Sequence, residues 1–255
     1  MRLLLIDIGN TTCDVRAFDP TSGAIEPLIR LYSRKNLLDN PKLLYLEMAA
    51  INEQFKAIIY VSVVPELNDM IRHLGQELGI TVLNMRNDIP FDKSPFKTDD
   101  LRVLGADFIA NYFGFKDRYR TDNAAIVSLG SATTIFLIKE GKFIGTTISP
   151  GVLFSLEALL QNTSLLEKNN YRFIPDIIGT NTFESISIGA IKGHFYLIMG
   201  LLNDIKKEYS LDKILFTGGN AYFYHDVCQK HNIDIDETLI FHGLSFLALQ
   251  HTNLY

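Results

Sequence analysis

The sequence predicts an α/β protein of two duplicated domains, each a mixed sheet flanked by helices, with a cleft between the domains. Three observations predict it. Strand-like and helix-like segments alternate along the 255 residues. The opening run Leu4-Leu5-Ile6-Asp7-Ile8-Gly9-Asn10 matches in kind a later one, Ile126-Val127-Ser128-Leu129-Gly130-Ser131. In both, a short strand enters a small turn and a second strand returns. Each run opens a half of similar length, and the charged polar stretch 118–123 lies between them. The boundary is therefore placed there, giving one domain over 1–118 and another over 119–255.

The first half reads in order as follows. Residues 3–6 are an apolar run and predict a strand. Residues 15–18 and 25–32 predict two more, separated by the turn signal Asp19-Pro20-Thr21-Ser22-Gly23. Leu43, Leu44, Leu46, Met48 and Ile51 recur at roughly helical spacing, so 41–55 predicts a helix with Pro41 in its first turn. A buried strand is expected over 57–64, a helix over 65–78 stopped by Gly79, and a strand over 80–83. Residues 84–100 are polar and hold two prolines, which predicts a long loop of the kind that often carries function. A helix over 101–116 closes the half.

The second half begins with an apolar strand over 124–127. Strands over 135–138 and 143–147 follow, joined at Glu140-Gly141. Ser149-Pro150-Gly151 is expected to break the chain before a helix over 154–161. Residues 183–209 predict a long helix or a broken pair. A strand over 213–216 ends in Thr217-Gly218-Gly219-Asn220, which is expected to open a helix.

Composition narrows the function. Hydrophobic residues make up 47% and charged residues 21%, which excludes disordered, collagen-like and disulfide-scaffold classes. Lys and Arg total 24 against 29 Asp and Glu, so no basic field exists to hold a nucleic acid. Two cysteines far apart, Cys13 and Cys228, suit a reducing cytoplasm. The apolar start stops at Asp7, too soon for a signal core. No stretch reaches the roughly 18 apolar residues of a membrane span. The expectation is a cytoplasmic protein with no membrane and no nucleic-acid partner.

Three glycine turns carry candidate chemistry. In Asp7-Ile8-Gly9-Asn10-Thr11-Thr12, glycine permits close approach to a phosphate, while Asn and Thr offer neutral donors. Asp7 would repel bare phosphate, so its natural partner is Mg²⁺, directly or through water. Gly130-Ser131-Ala132-Thr133-Thr134 offers uncharged donors suited to outer phosphates. Thr217-Gly218-Gly219 follows a strand and permits a flat ligand or phosphate at a helix start. Taken singly, each also fits a plain structural turn, and the ordered set is the stronger signal. Asp107 in Gly105-Ala106-Asp107 is the best candidate acid/base for phosphoryl transfer, although taken alone an Asp favoured by a helix dipole is the plainer reading. Neither a P-loop, a dinucleotide glycine motif nor a serine-hydrolase elbow occurs. Cys228 and His231 form half a metal site at most, and a buried Cys beside a surface His is the plainer reading.

The ordered set resembles the type III pantothenate kinase family. It comprises Asp7-Ile8-Gly9-Asn10-Thr11, Gly105-Ala106-Asp107 with Asn111, Gly130-Ser131-Ala132-Thr133-Thr134, Ile148-Ser149-Pro150-Gly151, Ile178-Gly179-Thr180-Asn181-Thr182 and Thr217-Gly218-Gly219. No member is specific alone; the order and spacing are. The resemblance implies the actin–hexokinase-like superfamily, with two duplicated ribonuclease-H-like (actin-like ATPase) domains. It implies ATP-dependent phosphorylation of pantothenate in the first step of coenzyme A synthesis, by a homodimer that uses Mg²⁺ and a monovalent cation, K⁺ or NH₄⁺.

By motif, the resemblance makes Asp107 the base and has Asp7 position Mg²⁺ and phosphate. Gly9, Asn10, Thr11, Gly130, Ser131 and Thr133 would line the phosphates, and Gly218 and Gly219 the nucleoside end. Gly105 and Thr182 would lie along the pantothenate pocket. Two departures stand out. Phe108 occupies the place of the family's usual Arg after the Asp, leaving Arg102 and Lys97 as cations for that space. Ser128 stands where the family has Asp, at the position associated with the monovalent cation, and Ser131 replaces a Thr. Two further readings remain. One is a catalytically impaired homologue acting as an accessory or regulatory protein, since the family includes proteins first described as Bvg accessory factors. The other is a superfamily kinase or phosphatase acting on a sugar, acetate or polyphosphate.

Overall fold

Leu3, Leu4, Leu5, Ile6 and Ile8 are all fully buried, so the first strand, β1 (Arg2–Ile8), has apolar neighbours on both faces and belongs inside a sheet. The computed structural model, which describes residues 1–51 and 53–255, places it there. β2 (Thr12–Phe18) and β3 (Ile25–Tyr32) continue from it as an antiparallel meander. β4 (Phe55–Ser62) and β5 (Thr81–Asn84) extend the other side in parallel, giving the order β3-β2-β1-β4-β5. On one face α1 (Leu43–Ala50) and α2 (Asn68–Leu78) bury Leu44, Met48, Ile71 and Leu74 against Leu4, Ile6, Ile58 and Tyr60. Each such aliphatic side chain contributes about 1.5–3 kcal/mol. Gly79 ends α2 at φ +66°, a left-handed cap that glycine adopts without strain.

The opposite face carries α3 (Ala106–Arg118) and a late helix over Leu239–Gln250, which pack on each other and on the central strands. Their backbones nearly touch. A Cβ at Gly243 would lie 1.8 Å from Ala110 O, and one at Gly114 would lie 2.1 Å from Leu239 O. The first compact unit is thus 1–94, 98–120 and 238–255, so a single cut at 118 does not describe it.

The second unit, 95–97 with 121–237, repeats the plan. β6 (Ala124–Leu129), β7 (Ala132–Lys139) and β8 (Lys142–Pro150) form the antiparallel meander. β9 (Lys213–Thr217) and β10 (Asp234–Ile235) add in parallel, so the order is β8-β7-β6-β9-β10. In strand positions both sheets read third, second, first, fourth, fifth, which is the duplication the sequence predicts. Phe96 forms an isolated bridge to Phe143 of β8. α4 (Val152–Gln161), α5 (Thr182–Ile186), α6 (Gly193–Glu208) and α7 (His225–Lys230) enclose this core. The late helix Leu239–Gln250, here α8, completes the set.

Several expected boundaries differ. The helix expected over 41–55 stops at Ala50, and Phe55 already opens β4. The helix expected from 101 starts at Ala106, because 101–104 form a turn with Val103 exposed. Pro150 does not break the chain early. It closes β8, an edge strand, where a missing N–H costs no ladder bond. Thr217-Gly218-Gly219 leads first into a 3₁₀ turn, Ala221–Tyr224, and only then into α7. Contrary to the sequence expectation, the helical run Thr182–Glu208 is long and apolar enough to span a membrane. Its apolarity has a use within the fold, because Ile186, Ile191, Phe195, Ile198 and Leu202 are core residues of the second unit. A π-helical segment, Ser187–Lys192, joins α5 to α6.

Candidate active site

Asp7 occupies the end of β1, opposite Asp14 of β2. The turn beyond it is closed by Gly9 N–H donating to Thr12 O at 2.9 Å. Buried Ser33 secures it from behind, with Oγ donating to Gly9 O at 2.6 Å and N–H to Thr11 O at 2.8 Å. Asn10 and Thr11 are left exposed at the tip. Asp14 is ion-paired with Arg16 at 3.2 Å, and the Arg16 guanidinium lies 4.4 Å from the centroid of Phe241 on α8. Among the described residues Asp7 has no such pair. Burial, then the charges of Asp107 and Asp14, push its carboxyl up from 3.8 to about 7, against the smaller pull of Arg30 and Arg16.

Asp107 lies in the first turn of α3. Its carboxylate folds back over Gly105, where a Cβ would meet Oδ1 at 2.3 Å. That is a physical reason for glycine two residues before this Asp. Burial raises its pKa, while N–H donors of Phe108 and Asp107 and the charge of Arg86 hold it down. Phe108 is buried at 7% exposure, so it is a packing residue. Arg102 is spent on Asp100 at 3.0 Å and is exposed. Lys97 belongs to the second unit, where its N–H donates to Phe143 O at 2.9 Å. The guanidinium that acts on Asp107 is that of Arg86, which sequence reasoning missed. A charged residue in a polar loop gives no local signal.

In the second unit three glycine turns converge at the ends of β6 and β9. Gly130 N–H donates to Ala132 O at 3.0 Å, and Gly151 N–H to Ser131 O at 3.0 Å. Asn220 donates N–H to Leu129 O at 2.9 Å and Nδ2–H to Gly130 O at 3.0 Å. A Cβ at Gly151 would lie 2.3 Å from Gly130 O, and one at Gly218 would lie 2.7 Å from Leu129 O. Gly218 also has φ +91°. The result is a small, uncharged backbone cradle, which suits phosphate oxygens. Gly219 follows Gly218 at its rim, and Ser131 lies at its tip.

Thr133 stands behind the cradle, buried, with Oγ1 at 2.8 Å from His194 Nε2. Burial lowers the pKa of His194 and so favours the neutral ring. Ser128 pairs with Thr134 across the sheet, the register that Asp7 and Asp14 occupy in the first unit. Thr134 Oγ1 is buried without a hydrogen-bond partner among the described residues.

Thr182 lies elsewhere in the second unit, in a cavity of about 790 Å³. Gly179, Thr180, Asn181, Ser185 and Ile186 share its lining, while the cradle glycines do not. Asn181 caps α5 by accepting from Glu184 N–H at 3.0 Å. Cys228 is a free, buried core residue whose thiol burial pushes up to about 12. Among the described residues no group of three or more His, Cys, Asp or Glu is placed to hold a metal. That is compatible with an ion held by one or two carboxylates, water and substrate phosphates, as Mg²⁺ commonly is. The crowded carboxyl of Asp7 has the chemistry to meet such an ion.

Residues 3–204 match the family model for type III pantothenate kinase. A relative of that name from Desulforapulum autotrophicum is 31% identical over 261 aligned residues, covering 97% of each chain. Another, from Mycoplasma mobile, is 32% identical over 194 residues and covers 73% of this chain and 75% of its own. A solved structure from Campylobacter jejuni, described as a Baf family transcriptional activator, superposes with TM-score 0.61 at 24% identity. It covers 98% of this chain and 99% of its own. The last similarity concerns the fold.

Proposed function

This chain belongs to the type III pantothenate kinase family, and from that premise we propose how its residues divide the work. The family's reaction is phosphorylation of pantothenate to 4'-phosphopantothenate, the first step of coenzyme A synthesis, with ATP as donor. Asp107 is the base. It takes the proton of the pantothenate hydroxyl as that oxygen bonds the γ-phosphorus. The bond from that phosphorus to the β,γ-bridging oxygen breaks, and ADP leaves. The observation that carries this assignment is the carboxylate folded over Gly105 and raised by burial, which strengthens it as a proton acceptor.

Asp7, Gly9, Asn10 and Thr11 form one phosphate turn, and Gly130 and Ser131 another, with Thr133 supporting the latter. Gly218 and Gly219 border the nucleoside. Mg²⁺, when bound, would neutralise charge on the phosphates, and Asp7 would hold it directly or through water. Ser128 and Thr134 offer only neutral oxygens where a monovalent cation, K⁺ or NH₄⁺, would sit. Thr182 and its cavity take the acceptor, and Gly105 gives room beside the base. We also infer a homodimer in the cytoplasm. Leu165, Ile177 and Ile178 support an interface, because they are 79–90% exposed near the Thr182 segment in sequence.

The decisive measurement is phosphopantothenate formation by mass spectrometry, with pantothenate, ATP and Mg²⁺, with and without K⁺. Product from the wild type and none from a folded Asp107→Asn is the expected result. Near-wild-type product from that variant removes Asp107 from the chemistry. No product from the folded wild type under any cation would favour the accessory-protein reading.

A further inference from the structure

Arg86 sits on a firmly built turn. Met85 N–H continues the ladder by donating to Tyr60 O at 2.8 Å. Asn84 Oδ1 accepts from Arg86 N–H at 3.0 Å and Asn87 N–H at 3.2 Å, while Asp88 Oδ2 accepts from Asn84 N–H at 2.8 Å. From that base the guanidinium reaches the segment before α3. Nη1 donates to Arg102 O at 2.8 Å and to Leu101 O at 3.4 Å, and Nη2 donates to Leu104 O. Nε is buried without a hydrogen-bond partner among the described residues. These carbonyls lie in a turn outside helix and strand, immediately before Gly105. A guanidinium presents five donors in a rigid fork, and an ammonium cannot span three carbonyls in this way.

We propose that Arg86 is the positioning residue of the base: it ties the 101–104 turn to the end of β5, fixes where α3 begins, and keeps a guanidinium beside the Asp107 carboxylate. The proposal rests on the reading of Asp107 as the base. It also accounts for the departure at position 108. The place where the family pattern has Arg is filled by a buried Phe, Arg102 points to Asp100, and the cationic role passes to a residue twenty-two positions upstream of Phe108. The mutual electrostatic effect of Arg86 and Asp107 is consistent with that placement. Arg86 acts through main-chain carbonyls and through Asp107.

The test compares Arg86→Ala, Arg86→Lys and Asp107→Asn, with thermal melting as a check on folding. In Arg86→Ala, kcat should fall roughly tenfold to a hundredfold, the effect of misplacing a catalytic group by about 1 Å. KM for ATP and for pantothenate should stay within about twofold, since a positioning role acts on the chemical step. Added ethylguanidinium should restore several-fold of the lost kcat in Arg86→Ala and none in Asp107→Asn. If Arg86→Ala does not fold, Arg86→Lys decides through the same split between kcat and KM. Unchanged kcat, a rise in KM alone, or absence of rescue in a folded Arg86→Ala overturns the proposal while Asp107→Asn stays inactive. An active Asp107→Asn overturns the base itself, and the proposal with it.

Discussion

Replacing Gly243 with alanine tests the close α3–α8 crossing in the first unit and, through it, the placement of Asp107, the proposed base. The new Cβ would lie 1.8 Å from Ala110 O and 2.7 Å from Ala110 C. Ordinary contact begins near 3.4 Å, so 3.4 − 1.8 leaves 1.6 Å to be found at the crossing. The obstacle is backbone on α3, so no side chain can rotate away, and the helices must part or shear. Overpacking of this kind typically costs 1–3 kcal/mol, and loosened contacts around Ile109, Phe113 and Leu244 add to it. We expect a loss of about 3–5 kcal/mol. Ala110 is one helical turn from Asp107, so kcat should also fall, by up to about a hundredfold. Urea unfolding and kcat on the same preparations give both readings. Gly200→Ala on α6 is the control: a Cβ there meets nothing within 4 Å, and the change should be neutral or stabilising. Gly114→Ala should cost less on top of Gly243→Ala than alone, because one parting of the helices accommodates both. A Gly243→Ala protein within about 0.5 kcal/mol of wild type and with full kcat would refute the close crossing.

Three further outcomes are expected. Asp7 is raised from 3.8 unfolded to about 7 folded, so folding favours its neutral form: stability is complete below pH 3.8 and declines as pH rises to about 7. With a chelator at pH 8, Asp7→Asn should therefore melt above wild type by up to about 4 kcal/mol of stability, and match it at pH 3.5; equal melting at both pH values would contradict this. Ser128→Asp should increase the dependence of kcat on K⁺, and an unaltered cation profile would remove this position from cation binding. Gly218→Ala combines φ +91° with a Cβ 2.7 Å from Leu129 O, so it should lose about 2 kcal/mol or more and raise KM for ATP; a variant with wild-type melting and KM would exclude the cradle.

Much of the fold was legible because local chemistry and global topology agree. The turns at Gly9 and Gly130 follow β1 and β6, short apolar strands buried on both faces, and such strands announce themselves as unbroken hydrophobic runs. The misses have identifiable causes. α8 was passed over: its sequence is apolar nearly all round, since Leu239, Phe241, Leu244, Leu247 and Ala248 are all buried, and no helical stripe emerges. Nothing in a linear reading says that its partner is α3, more than a hundred residues earlier. The 101–104 turn resembled helix because Leu101, Val103 and Leu104 are apolar, yet a guanidinium from the end of β5 holds it non-helical. Pro150 looked like a breaker only because its edge position was unknown. Among site residues, the glycines and Asp107 carried motif signals, whereas Arg86, Ser33 and His194 act through contacts remote in sequence.

The duplication explains why the two glycine turns differ in chemistry while matching in geometry. Asp7 pairs with Asp14 at the position in the first sheet where Ser128 pairs with Thr134 in the second. Two carboxylates in that register repel; Arg16 ion-pairs with Asp14, while burial and the charges of Asp107 and Asp14 outweigh the pull of Arg30 and Arg16 on Asp7 and leave its pKa raised. Two hydroxyls in the same register carry no charge and leave Thr134 Oγ1 without a hydrogen-bond partner among the described residues. On the roles proposed above, the same backbone offers a carboxylate for a cation in one unit and only neutral donors in the other. A carboxylate introduced at Ser128 would erase that difference. It would place a half-buried charge opposite Thr134, at a cost that a bound cation could offset. The cation dependence of Ser128→Asp thus reports on whether the second turn has given up metal chemistry or only the charge that made it strong.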